Sequence, residues 1–354
     1  MTGLLDGMRV LDAGIWRPVP HATQMLADLG AEVLKIEPPG GDPMRTFPQL
    51  FRDVAGHKRS IELNLRTPEG TARALALAAG ADVFCEGWRP GVADRLGVGY
   101  EHVRAVNPSI IYCSVSGYGQ TGPNVERPGH DVNYQALAGA LAPREGEDPA
   151  IPRVPLADLA AGTFAAFCIA AAWAKRIQTG EGERIDVAMA DVVASWSGTS
   201  SGNLLRGRTQ PTRGSAGYGV FVCADGGWIT LAVISEDHFW QAVCDALALA
   251  ADLRGLGHLE RLDRFDECQG AIEAACAQLP RADALERLTQ AGAPVAPVYE
   301  PAEMTADEQF RSREVVHDAG DGTARLGFPA QLREHPPRPP GPTPAVDENG
   351  DGWS

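Results

Sequence analysis

The chain has 354 residues, 44% of them hydrophobic and 22% charged, with a formal net charge of -15 at pH 7. That composition is ordinary for a soluble globular protein and leaves room for a large core and two domains. The acidic balance argues against nucleic acid or an anionic membrane as a partner, since both call for a basic surface.

Seven scattered cysteines with no CxxC pair predict reduced thiols in a cytoplasmic protein, not a disulfide framework or a zinc site. The first residues carry no basic segment followed by an apolar run, so no signal peptide is expected. Arg9-Val10-Leu11-Asp12 predicts a strand. His21 to Gly30 predicts a helix, and Glu32 to Glu37 a second strand stopped by Pro38-Pro39-Gly40-Gly41. Such a β-α-β unit implies parallel strands joined by a right-handed crossover. Ser60 to Leu65 reads as a third strand, and Thr67-Pro68 as the N-cap and first residue of an Ala/Leu helix. Ala81 to Glu86 and Ile110 to Val115 read as buried strands. The alternation, continuing to about residue 195, predicts an α/β doubly wound domain. Phe164 to Trp173 is too short to span a bilayer and reads as a buried helix.

Residues 196–216, rich in Ser, Gly, Thr and Arg, read as a linker. Tyr218 to Cys223 and Trp228 to Val233 flank Asp225-Gly226 and predict a β-hairpin. Helices at about 236–248, 270–278 and 281–291 complete a small α+β domain over 217–300. Residues 301–354 form a return segment that completes the large domain from about 325. Its tail, Pro336 to Pro342, is extended because consecutive prolines exclude a helix.

The loop from Ala13 to Pro20 holds one Gly, two Pro and an Arg where a dinucleotide-binding turn needs G-x-G-x-x-G. NAD is therefore not expected, and Glu37 is read as a surface residue before a turn. Arg17, Lys58, Arg59, Arg66, Arg89 and Arg95 fall just past strand ends, where open parallel sheets bind ligands. On an acidic protein this row suggests an anionic ligand held by charge-assisted hydrogen bonds, although solvated surface charge is equally compatible with any one of them. Arg127-Pro128-Gly129-His130-Asp131-Val132-Asn133-Tyr134 joins a Gly-rich turn (Gly117 to Pro123) to a small-residue helix over Gln135 to Leu141. His130 and Asp158 stand at two loop-to-helix junctions and suit a general acid–base pair. Structural roles remain open: His130 as a loop residue, Asp158 as the N-cap of its helix. Glu236-Asp237-His238 opens a helix, where acids complement the dipole. No G-x-S-x-G, H-E-x-x-H or Cys/His cluster occurs, so neither a serine hydrolase nor a metal site is predicted.

Several short motifs occur together: Gly7-Met8-Arg9-Val10-Leu11-Asp12, Leu26-Ala27-Asp28-Leu29-Gly30-Ala31-Glu32-Val33, Ile36-Glu37-Pro38-Pro39-Gly40-Gly41-Asp42-Pro43, Arg89-Pro90-Gly91-Val92, Arg95-Leu96-Gly97 and Ser116-Gly117-Tyr118-Gly119-Gln120-Thr121-Gly122-Pro123. With them the chain, from Leu5 to about Pro340, resembles the superfamily of family III CoA-transferases and α-methylacyl-CoA racemases. The resemblance implies an α/β fold: a Rossmann-like large domain with a parallel sheet, a smaller α+β domain, and two chains interlocked as rings in a homodimer. It implies an acyl-CoA thioester as substrate and no cofactor, coenzyme A being part of the substrate. It puts CoA contacts at Leu63, Asn64, Leu65 and Arg66, at Gly87, Trp88 and Arg89, at Arg95, and at Gly129, Asp131, Asn133 and Tyr134. Pro38 stands where the family has an adenine-side Arg.

The resemblance also assigns roles. Gly129-His130-Asp131-Val132-Asn133-Tyr134 is similar to a racemase stretch whose His is one of two bases. Asp158 matches both the second base of racemases and the carboxylate nucleophile of transferases. Glu236 falls where racemases have a Glu that partners the catalytic His. The implied activity is racemisation or epimerisation at the α-carbon of a 2-methylacyl-CoA by two-base proton transfer. Backbone N–H groups at the start of the helix carrying Asp158 would then bind the enolate oxygen. The alternative is intermolecular CoA transfer through an aspartyl-CoA thioester at Asp158. A protein that only binds acyl-CoA is a third reading.

Overall fold

Six short strands, β1 (Arg9–Ala13), β2 (Glu32–Glu37), β3 (Arg59–Glu62), β4 (Val83–Glu86), β5 (Ile111–Ser116) and β6 (Glu183–Ala188), form one sheet in the order β3-β2-β1-β4-β5-β6. Every pairing in it is parallel. This computed structural model describes residues 3–143, 148–200 and 214–353, with residues 198–200 described by backbone alone. The chain divides into two compact units, residues 1–206 with 308–354, and residues 207–307. The segment returning to the first unit thus starts at 308. Residues 201–213 of the expected linker lie outside the described residues, and 196–200 belong to a helix.

Register sorts the core of the first unit. Val10 lies beside Val33 and Val83, and Val83 beside Ile111, whereas Leu11 lies beside Leu34 and Phe84, and Phe84 beside Tyr112. Side chains alternate between faces along a strand, so the two rows point to opposite sides. The Val row packs with α1 (Pro18–Asp28), and the Leu/Phe/Tyr row with α3 (Pro68–Ala79), α2 being the short helix Pro48–Arg52. Strands buried on both faces read as near-continuous apolar runs, which is how β4 and β5 show in the sequence. β6 does not: Glu183, Arg184 and Asp186 in it are exposed. Between β4 and β6 run α4 (Val92–Arg95), α5 (Tyr100–Val106), α6 (Asp131–Leu137) and α7 (Leu156–Thr179), and α8 (Met189–Ser200) follows. The small-residue helix thus begins at Asp131 and not at Gln135.

The helix expected over Phe164 to Trp173 is part of α7, which has 24 residues. It is long and apolar enough by composition to cross a membrane, and less than half of that window is buried. One face packs on the Val row and on α1; Phe167 and Ile177 on the other are 68% exposed. Gly162 permits the crossing of α1 and α7: a Cβ there would lie 2.6 Å from the Pro18 carbonyl oxygen and 2.9 Å from His21 Cδ2. His21, expected at the start of α1, is inside it, and burial pushes its imidazole down to about 4, so it is neutral.

Charge is buried under the β1–α1 loop. Lys58 Nζ, expected at a ligand site, instead donates to Asp12 Oδ2 at 2.8 Å, to the Pro20 carbonyl at 2.8 Å and to Thr23 Oγ1 at 2.6 Å. Lys35 Nζ pairs with Asp42 at 2.8 Å and donates to the Gly14 carbonyl at 2.6 Å. Burial alone would push the Asp12 carboxyl up, but Lys58 and Lys35 beside it bring it down to about 2. Glu37, expected at the surface, is fully buried; it accepts from Ser60 Oγ at 2.6 Å and from the Asp42 N–H at 2.7 Å, and pairs with Arg45. Arg59 is tied to Glu32. The proline-rich tail is extended as expected and runs back along this unit. Asp347 Oδ1 accepts from the Glu62 N–H, and the Asn349 N–H donates to the Ser60 carbonyl, so the β3 edge is covered.

The second unit holds β7 (Tyr218–Val222), β8 (Trp228–Ala232) and β9 (Val295–Pro297) in one antiparallel sheet. The expected hairpin is present, and helices at 237–246, 265–276 and 281–290 correspond to the three expected ones. Phe221, Ile229 and Leu231 pack against Trp240, Val243, Ile272 and Leu288. Arg261, 1% exposed, lies over the Trp240 ring, ion-pairs with Asp237 at 2.6 Å and donates to the Leu256 carbonyl at 2.9 Å.

Lys58→Met leaves the Asp12 charge in the core without its main partner. Urea titration is expected to show a loss of about 3–5 kcal/mol; a loss under about 1 kcal/mol contradicts the pairing described.

Candidate active site

The strand order reverses between β1 and β4, and such switch points open crevices at the carboxyl ends of the strands. A cleft of about 440 Å³ lies there, lined from β1 by Ile15 and Trp16, from β4 by Gly87, Trp88 and Arg89, and from β5 by Ser116 and Gly117. His130 and Asp158 both line it.

The loop after β1 is held by the buried cluster beneath it, Lys35 gripping the Gly14 carbonyl and Asp12 Oδ1 accepting the Gly14 N–H at 3.0 Å. So anchored, Trp16 adopts φ 63°, a left-handed conformation that costs a bulky residue about 1 kcal/mol or more, and its ring stays exposed at the cleft. The turn after β4 is held by Glu86, which accepts the Trp88 N–H at 2.9 Å; burial pushes the Glu86 carboxyl up to about 7.

The wall carrying His130 is built on two glycines. A Cβ at Gly117 would lie 2.4 Å from the Tyr134 ring, and one at Gly129 2.7 Å from it. Their absence lets the ring press onto both loops, where Tyr134 Oη donates to the Gly129 carbonyl at 2.6 Å. Tyr118 meets Tyr134 edge-on at 5.1 Å, and Arg127 lies over Tyr118. His130 is the N-cap residue of α6, its N–H donating to Asn133 Oδ1 at 3.0 Å. Its imidazole is exposed at the cleft.

Asp158 is not the N-cap of α7. That position is Pro155, and Asp158 stands three residues inside, half-buried. Burial first, and the Asp131 charge second, push its carboxyl from 3.8 up to about 6, against the opposing pull of Arg17. Two first-turn amides are in use, Asp131 Oδ1 accepting from the Ala157 N–H at 2.7 Å and the Asp158 N–H at 3.1 Å, and the Pro155 carbonyl accepts from the Leu159 N–H. Two of the expected enolate-binding donors at this helix start, the Ala157 and Asp158 amides, are therefore already bonded.

Of the other expected contacts, Gly87, Trp88, Arg89, Gly129, Asn133 and Tyr134 line the cleft. Asp131 does not line it and is turned onto α7. Leu63, Asn64, Leu65, Arg66 and Arg95 do not line it either: Leu65 is buried with the α3 core, Leu63 packs beside it, and Arg95 ends α4. Asn64 forms the turn into α3, its carbonyl accepting from the Thr67 N–H, and Thr67 caps that helix as expected. Glu236 belongs to the second unit, where it is the N-cap residue of the helix 237–246 and accepts the Ile234 N–H at 3.1 Å. Backbone N–H groups, its own first and that of Ile234 next, hold its carboxyl below the usual range. Sequence reasoning missed Trp16, Tyr118 and Ser116 as cleft residues, whereas Arg127 lines the cleft at the start of the stretch that carries His130. Only Trp16 left a signal, a large aromatic between Gly14 and Pro18 where a phosphate-binding turn would be. Among the described residues no group of three or more His, Cys, Asp or Glu is placed to hold a metal ion.

Fold and site together define a doubly wound α/β protein with a perturbed carboxyl group in its switch-point cleft. The model of CoA-transferase family III matches residues 5–350, and the chain belongs to that family. It is 34% identical to the acetyl-CoA:oxalate CoA-transferase of Acetobacter aceti, over 98% of this chain and 94% of that protein. It is 32% identical to the succinate–glutarate CoA-transferase of Agrobacterium fabrum, over 98% and 93%. A CAIB/BAIF family protein from Brucella suis superposes with a TM-score of 0.89 at 29% identity, covering 99% of this chain and 98% of that one. The superfamily that the sequence motifs implied is the one these matches give.

The raised Asp158 carboxyl has a stability consequence. The folded chain holds this proton more tightly than the unfolded one, so stability falls as pH rises from about 4 to about 6 and then levels. Asp158→Asn is expected to be more stable than the parent by on the order of 2 kcal/mol above pH 7, with the gain vanishing below about pH 4. Equal stability of the two proteins at pH 8 would sink the assignment of a desolvated carboxyl.

Proposed function

We propose that the chain is an intermolecular CoA-transferase acting on acyl-CoA thioesters, with Asp158 as nucleophile. The observation carrying this reading is Asp158 itself: a half-buried carboxyl group, ionised in large part at neutral pH, in a cleft at the sheet's switch point. The relatives reported above are named as transferases, which favours this reading over racemisation.

In the proposed reaction Asp158 attacks the donor thioester carbonyl. A carbon–oxygen bond forms, the carbon–sulfur bond breaks, and CoA thiolate leaves a mixed anhydride behind. The thiolate then attacks the Asp158 side-chain carbonyl, giving an aspartyl-CoA thioester and releasing the donor acid. An acceptor carboxylate reverses both steps. The exchange is redox-neutral and calls for no electron carrier. Arg89, in the β4 turn, and Trp88 beside it suit the pantetheine end of CoA. Arg17, facing Asp158, and Arg127 suit a second carboxylate, so small dicarboxylic acids are the proposed donor and acceptor class. In this reading His130 holds the thioester carbonyl. An interlocked homodimer in the cytoplasm is part of the same proposal; the exposed apolar face of α7 supports contact with a second copy.

One observation favours racemisation as a second reading: the exposed His130 imidazole shares the cleft with Asp158. It then acts as the second base on an α-proton.

With a donor acyl-CoA and a free dicarboxylic acid, CoA exchange is expected, together with a borohydride-trappable adduct on Asp158. Asp158→Ala is expected to lose at least ~10³-fold in kcat. Because the ionised form attacks, kcat/KM is expected to rise with pH through about 6. If solvent deuterium enters the α-position of a 2-methylacyl-CoA with no acceptor acid present, and His130→Ala abolishes it, racemisation replaces transfer.

A further inference from the structure

Asp131 is unusual in serving a helix other than its own. It is the first residue of α6, yet its Oδ1 accepts two first-turn amides of α7, Ala157 at 2.7 Å and Asp158 at 3.1 Å. Those amides belong to the set that a helix cannot satisfy internally. A polar N-cap side chain commonly bonds one of them, but the N-cap of α7 is Pro155, which has none. The other oxygen, Oδ2, accepts from Gln135 Nε2, and Gln135 is only 1% exposed. The carboxylate is thus fixed from α6 on one side and fixes α7 on the other.

We propose that Asp131 is the positioning residue of the reactive carboxylate: it clamps the first turn of α7 to the first turn of α6, so that Asp158 and its neighbour His130 are presented to one cleft, and its charge faces Asp158. The inference rests on the reading of Asp158 as nucleophile. The charged and titratable groups facing Asp158 are Asp131 and Tyr134 from α6 and Arg17 from the β1–α1 loop; His130 and Arg89 share its cleft, and His21 on α1 is neutral. Burial and then the Asp131 charge hold the Asp158 proton on; Arg17 opposes them.

The charge has a catalytic direction. An acid at the third position of a helix ordinarily gains from the positive helix end. Here the nearest amides are bonded to Asp131, and its negative charge remains beside Asp158. That repulsion acts on the ionised nucleophile and not on the neutral anhydride or thioester formed from it. Asp131 therefore raises the free carboxylate relative to the covalent adducts and favours their formation.

Asp131→Asn separates charge from geometry. The amide oxygen still accepts both α7 amides, and Gln135 turns its side-chain amide to accept from the new NH₂ group. The clamp is kept and the charge is lost. Two readouts are expected to move down together by on the order of one pH unit. One is the acid limb of the kcat/KM profile. The other is the midpoint of the Asp158 carboxyl band, followed by isotope-edited infrared titration of the intact protein against an Asp158→Asn reference. The urea midpoint is expected to stay close to that of the parent. Asp131→Ala, which loses the clamp as well, is expected to lose about 10²-fold in kcat, and Asp131→Asn, which loses only the charge, no more than about tenfold. A folded Asp131→Asn protein whose infrared midpoint equals that of the parent overturns the proposal. Should the midpoint move while the parent transfers no CoA, the clamp stands and the nucleophile reading falls.

Discussion

Buried charge under the β1–α1 loop is the constraint from which the rest of the site follows. Lys58 and Asp12 are fully enclosed, and ions out of water are tolerated only with strong partners. Asp12 meets this with Lys58, Thr23 and the Gly14 amide; Lys35 meets it with Asp42 and the Gly14 carbonyl. Each of these partners sits on a different element, so none is free to shift alone. The cluster pins the loop where a Rossmann-like fold elsewhere relies on glycines and a bound phosphate. The pinned backbone holds Trp16 in its left-handed conformation at the edge of the cleft and places Arg17 within electrostatic reach of Asp158.

The opposite wall is built by close approach. Gly117 and Gly129 admit the Tyr134 ring, Gly162 admits α1 against α7, and in each case a single methyl group would collide with a ring or a carbonyl. α6 and α7 are thereby brought near enough for one carboxylate, Asp131, to bond amides 26 and 27 residues ahead of it. The cleft thus depends on one ionic cluster and three missing side chains, and its chemically active groups stand on helix starts fixed by both.

The parallel sheet was legible because β4 and β5 are buried on both faces and show as near-continuous apolar runs, and because Thr67-Pro68 and Pro38-Pro39-Gly40-Gly41 mark boundaries plainly. β6 was not, since an edge strand with Glu183, Arg184 and Asp186 turned to solvent carries no such run. The row of cations past the strand ends was read as one ligand site. Lys58 and Arg59 are instead consumed by Asp12 and Glu32, and Glu37, whose place before a turn suggests the surface, is the buried partner of Arg45. Which acid pairs with which base is a matter of tertiary contact, and spacing along one chain does not encode it. The same holds within the site. His130 and Asp158 were recognisable from their motifs, whereas the roles of the two aspartates were only partly so, because Asp131 reaches α7 through space.

Under the proposed transfer reaction, that division of labour explains why a second acid, Asp131, is held behind the one that lines the cleft. Asp158 alone at a helix start would be an ordinary, strongly ionised carboxylate, well hydrated and slow to attack. Burial removes part of its solvent, and a fixed like charge removes part of the stabilisation the helix end would give. A carboxyl group held near 6 is still mostly ionised at neutral pH, yet less stabilised than a free one. In the proposed reaction the covalent adducts carry no charge at that position and escape the penalty, so the stability given up in the resting protein would be recovered as the anhydride forms. A site of this kind is expected to be destabilised where it is reactive, and Asp158 is the residue at which the two properties coincide.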